Sequence, residues 1–100
     1  MDRPLVLVLA FRCFDAFADG SKRVEWRRYS ERFNERTCAI GRPVVLHRGY
    51  TLRRLVGRIT SFDVRPATKA VAEIYGRDAW CAVIGINLDQ LGGEDQRGVC

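Results

Sequence analysis

The stretch Lys22-Arg23-Val24-Glu25-Trp26-Arg27-Arg28 alternates with the period of a β-strand, and the rest of the chain can be ordered around it. Val24 and Trp26 fall on one face, Arg23, Glu25 and Arg27 on the other. With one face apolar and one charged, the strand is expected to bury Trp26 in the core and to turn its charges outward.

Upstream, residues 4–10 (PLVLVLA) form a short, β-branched-rich run that reads as a buried strand. Phe11, Phe14 and Phe17 then recur every three residues with Ala16 and Ala18 nearby, which predicts a helix with its phenylalanines in the core. Gly20 stands where a left-handed C-terminal cap belongs.

Downstream, residues 29–41 are polar and predict a short helix after Ser30, with that hydroxyl as its cap. Residues 43–48 (PVVLHR) read as a second buried strand, and Arg48-Gly49-Tyr50-Thr51 as a turn. Residues 55–63 (LVGRITSFD) alternate through Val56, Arg58, Thr60 and Phe62, with Ile59 on the opposite face. Pro66 opens a helix over residues 67–75 with an apolar stripe of Val71, Ile74 and Tyr75, and Gly76 ends it. The last strand is 81–88 (CAVIGINL), where Gly85 permits a bend or a close backbone approach. The order of elements predicts an α+β domain around a mixed or closed sheet.

A chain of 100 residues, 47% hydrophobic and 29% charged, supports one domain with its own core. We place that domain at residues 1–90 and a Gly-rich, polar, frayed tail at 91–100. The apolar run from Leu5 to Ala10 is too short for a leader or a membrane span, so a cytoplasmic protein that avoids membranes is expected. Cys13, Cys38, Cys81 and Cys100 show no metal or disulfide spacing and read as reduced thiols. With His47 as the only histidine, neither a metal nor another cofactor is expected.

The formal charge of +5 is concentrated: residues 21–58 hold eleven Lys or Arg against three Glu, while residues 59–100 are net negative. Such a segment suits a polyanion through counterion release. An Arg-rich composition alone would produce the same excess.

The segment Gly20-Ser21-Lys22-Arg23-Val24-Glu25-Trp26-Arg27 resembles the G-x-K-x-x-E-x-R signature of the ASCH family, small domains related to the PUA RNA-binding fold. Pro43–Tyr50, Ile59–Phe62, Ile74–Gly76 and Val83–Ile86 are similar to the later strands and closing helix of that family, so the likeness runs over residues 4–89. The resemblance implies a PUA-like small β-barrel of five to six strands with two or three short helices, a basic cleft, and a role in RNA binding, RNA processing or modified-nucleoside chemistry.

Within that frame, Lys22 can contact a phosphate or polarise a carbonyl, and it is the one candidate for a catalytic role. Arg27, two residues from Glu25 on the same strand face, can hold that carboxylate ionised and oriented toward a base amino group. A salt-bridge network that only fixes the strand would use the same pair. Tyr50 is placed at the cleft as a stacking residue, with Arg48 and Arg53 on a phosphate-contacting rim together with Arg54 and Arg58. Trp26 and Tyr75 are assigned to the core.

Small ASCH proteins that hydrolyse N4-acetylcytidine rely on a Lys, a Thr three residues later and a distant Glu. Lys22 matches the first, but the position three later is Glu25. Binding of RNA or a nucleotide is therefore the first expectation, a hydrolase acting on RNA or a modified nucleoside the second, and a protein-interaction module the third.

Overall fold

The computed structural model describes residues 3–76 and 79–89. Strands β1 (Leu5–Leu9), β2 (Val24–Arg28), β3 (Pro43–Arg48), β4 (Arg54–Pro66) and β5 (Trp80–Leu88) form one sheet in the order β1-β3-β4-β5-β2. Helix α1 (Phe11–Ala18) follows β1, and α2 (Lys69–Tyr75) joins β4 to β5. The β1–β3 pairing is parallel and the other three are antiparallel. The sheet curls into a half-barrel. This is the α+β mixed sheet that the order of elements predicts, with five strands and two helices among the described residues.

The core fills the concave side. Leu5, Leu7 and Leu9 of β1, Val44 and Leu46 of β3, Ile59 of β4, and Ile84, Ile86 and Leu88 of β5 are all buried there. Their spacing of two residues is what a strand needs to bury one face. Helix α1 adds Phe14 and Phe17 at the end of the sheet where β1 stops and β2 starts. The segment between β2 and β3 adds Phe33 and Cys38 at the opposite end.

Several expectations need correction. The first concerns β2, whose charged face is the inner one. Glu25 is buried, whereas Val24 and Trp26 are half-buried on the convex side. The register explains this, because Glu25 pairs with Ile84 and Arg27 with Ala82, both fully buried, while Trp26 pairs with Val83 on the outer face. Trp26 is therefore no core residue.

The second concerns Ser30, which starts no helix. Its hydroxyl accepts from the backbone N–H groups of Arg32 and Phe33 as a cap would, but residues 30–38 form only bends and turns. Asn34 replaces helical bonding there, its side chain serving both the carbonyls of Ser30 and Glu31 and the N–H groups of Arg36 and Thr37.

The third concerns α2, which buries none of its residues and leaves Ile74 74% exposed. The Ala67 N–H donates to the Ala79 carbonyl and continues the β4–β5 ladder. The helix is thus an excursion pinched at its neck, capped by Thr68 and tethered through the Arg28 guanidinium to the Tyr75 carbonyl.

The fourth is in β4. A bulge between Ile59 and Ser61 reverses the alternation, so Phe62 joins Ile59 on the inner side, opposite Ile84. Gly85 sits across from Ser61, where a Cβ would collide with the serine side chain, and this is the close approach expected of it. Of the three helix phenylalanines, Phe14 and Phe17 are core, but Phe11 is 50% exposed. The predicted tail at 91–100, with Cys100, lies outside the described residues.

Candidate ligand-binding cleft

The site begins where α1 ends. The helix terminates at Asp19, and Gly20 takes φ +87°, a left-handed conformation that glycine adopts without steric cost. The Asp19 carboxylate accepts from the Ser21 N–H, and the Lys22 N–H donates back to the Ala16 carbonyl at 3.0 Å. These bonds turn the chain sharply from helix to strand and fix Lys22 at the start of β2.

The Lys22 ammonium stands 3.6 Å from Oε1 of Glu25 and 5.7 Å from the centre of the Phe17 ring. Oε2 of the same carboxylate accepts from Nε of Arg27 at 2.8 Å. Arg27 in turn donates through Nη2 to the Val8 carbonyl at 2.9 Å and lies 5.5 Å from the centre of the Phe33 ring. One buried carboxylate thus serves two cations, and each cation rests against an aromatic ring.

Lys22 opens onto a cleft of about 530 Å³ lined by Phe17, Gly20, Lys22, Arg23, Ile86, Asn87, Leu88 and Asp89. Glu25 and Arg27 do not line it. They lie on the inner side of β2 and reach the cleft only through Lys22.

The remaining candidates fall at the same end of the sheet but around α1 and the β3–β4 turn. Arg48 makes a two-pronged bond to Asp15 at 2.9 and 3.0 Å and stacks 4.1 Å from the centre of the Phe11 ring. That pairing holds the Asp15 carboxyl below its usual range and raises the Arg48 guanidinium. Arg53 lies 5.5 Å from the centre of the Phe14 ring. Tyr50, at the turn, is 96% exposed.

Thus Lys22, Glu25 and Arg27 form one cluster, while Arg48, Tyr50 and Arg53 are separate from it and from the cleft that Lys22 lines. Asn87 and Asp89 line the cleft without having been singled out. The break of the apolar run at Asn87, read with the β2–β5 register, was the available signal. Glu25 itself is buried and doubly paired.

Burial pushes the thiols of Cys38 and Cys81 up, which keeps them protonated and unreactive. No cluster of His, Cys, Asp and Glu among the described residues could hold a metal ion. No helix among them is long and apolar enough to cross a membrane. No protein-family model matches the chain, and no curated protein matches it.

Proposed function

We propose that this chain is an ASCH-type, PUA-like module that holds RNA or a nucleotide in the cleft beside Lys22. The observation that carries this reading is the arrangement Arg27–Glu25–Lys22. A carboxylate is costly to bury and is tolerated only when paired. Here the buried carboxylate holds an ammonium at the mouth of an open cleft, where a purely structural strand would have placed an apolar residue beside Ile84.

An ammonium has three N–H donors, so the contact with Glu25 leaves donors for a phosphate or a base carbonyl. Arg23 adds a second cation, while the Asn87 amide and the Asp89 carboxylate can pair with base edges. A volume of about 530 Å³ falls within the range of small-ligand sites. The G-x-K-x-x-E-x-R spacing and the curled mixed sheet agree with this assignment. A cytoplasmic location is part of the same proposal.

The test is a titration of fluorescent single-stranded RNA and of free nucleotides against wild type and Lys22→Ala at several salt concentrations. Wild type should bind in low salt with affinity that falls steeply as salt rises. Lys22→Ala should bind at least tenfold more weakly with its melting transition nearly unchanged. Normal binding by a variant that unfolds early would make Lys22 a structural ion-pair member.

A further inference from the structure

The outer side of the β3–β4 hairpin carries a feature that the Lys22 cleft does not use. In β4, the alternation before the bulge turns Arg54, Val56 and Arg58 outward, while Gly57 and Ile59 are buried. The Arg54 guanidinium donates to the carbonyls of Thr51 and Arg53 at 2.6 and 3.0 Å. That of Arg58 donates to the Gly41 carbonyl at 3.0 Å, and Arg42 beside it donates to the carbonyls of Arg3 and Thr37.

None of these three guanidiniums pairs with a carboxylate among the described residues, in contrast to Arg27, Arg48 and Arg65. Carbonyl bonds hold a guanidinium in place without neutralising it. The row therefore presents oriented, uncompensated positive charge, with about 13 Å of strand between Arg54 and Arg58.

The turn at the tip of the hairpin is tied as firmly. The Thr51 hydroxyl donates to the Arg48 carbonyl at 2.6 Å and accepts from the Arg53 N–H, and the Arg48 N–H donates to the Arg53 carbonyl. This bonded turn holds Tyr50 in solvent with its ring unobstructed.

We propose that the convex side of the β3–β4 hairpin is a track for single-stranded RNA, with Arg54 and Arg58 on two separate phosphates of one strand and Tyr50 stacking on an unpaired base. The inference rests on the RNA reading above and adds the strandedness of the ligand and a second surface. Charge complementarity selects a phosphate backbone. The face has the small Val45–Val56 pair at its centre, flanked by the Arg54 and Arg58 guanidiniums, and so narrow an apolar strip between two uncompensated cations suits a phosphate backbone better than the broad charge-depleted centre of a protein interface. A free tyrosine ring needs a base that is already unstacked, which excludes a duplex.

The test uses fluorescein-labelled oligouridine, a duplex RNA of equal length and a polyglutamate peptide. The double variant Arg54→Gln/Arg58→Gln should lower the slope of log affinity against log salt for oligouridine by about 1.4, since each phosphate contact to a single strand contributes about 0.7. Lysine at both positions should restore the slope. Tyr50→Ala should weaken oligouridine binding about 5- to 150-fold and leave duplex binding unchanged.

If wild type binds oligouridine and all three variants match it, the track is wrong while the Lys22 cleft stands. If wild type binds no RNA at low salt, both fall. Equal losses for oligouridine and polyglutamate in the glutamine variant would overturn the assignment to RNA.

Discussion

The Arg27 guanidinium bonds the Val8 carbonyl at 2.9 Å and so joins the two strands that form opposite edges of the sheet. Arg32, in the segment that follows β2, adds a second tie to β1, donating to the Val6 carbonyl at 3.3 Å. Exposed strand edges invite pairing with other chains. Here the gap in the half-barrel is bridged by side chains where a closed barrel would use backbone bonds.

Arg27→Ala should therefore destabilise the fold by about 3 kcal/mol. It leaves a buried carboxylate with only Lys22 as partner and a strand-edge carbonyl without its donor. Urea unfolding of both proteins measures the difference. A change below about 0.5 kcal/mol, the range of ordinary surface substitutions, would show that the bridge contributes nothing.

The corrected orientation of β2 makes a second prediction. Phe14, fully buried, should cost about 3 to 5 kcal/mol on replacement by alanine. Trp26, half-buried in a shallow outer groove with Val24, Pro66 and Val83, should cost only about 1 to 2 kcal/mol. The ranking is the measurement. If Trp26→Ala proves as damaging as Phe14→Ala, the tryptophan is a core residue after all.

These two residues also mark what could be read in advance. Leu5–Leu9, Pro43–Arg48 and Trp80–Leu88 were legible as strands because continuous apolar runs bury themselves wherever they pair. The Phe14 and Phe17 spacing was legible because both faced one wall. The direction of β2 was not, since alternation reveals two faces but not which one a neighbouring strand will cover. Ion pairing to Lys22 and Arg27 made the charged face tolerable inside. Phe33 and Cys38 were missed because their segment has no period, and the bulge at Ile59 and Ser61 was missed because only the β5 register reveals it. At the site, Glu25 and Arg27 were legible as neighbours from the strand period, whereas Lys22, of opposite parity, joined them only through the G-x-K-x-x-E-x-R resemblance. Asn87 and Asp89 reach the cleft through long-range pairing.

His47 should titrate below its ordinary value of 6.5, because burial, and secondarily the charge of Arg54 opposite it on β4, disfavours the imidazolium. Its folded pKa lies below its unfolded one, so the folded chain binds fewer protons. The contribution is fully present above pH 6.5 and is lost as the pH falls through the folded pKa. As the chain has one histidine, NMR titration of the imidazole gives the value without assignment. A midpoint at or above 6.5 contradicts the prediction.

Asp15 acts in the same direction at lower pH. Its carboxyl, depressed by Arg48, adds stability above its ordinary pKa of 3.8 that disappears as the pH falls through the folded value. Asp15→Asn should therefore flatten part of the acid limb of the melting curve. An unchanged acid limb would mean that Arg48 and Asp15 do not pair in solution.

The central claim is that RNA or a nucleotide is held in the cleft beside Lys22, and amide NMR of the labelled protein tests it most directly. Titration with a nucleoside monophosphate should move the signals of Gly20, Lys22, Arg23, Asn87 and Asp89 together, with one binding constant, and should move them far less in Lys22→Ala. Saturating nucleotide or RNA that leaves those five signals in place would contradict the account.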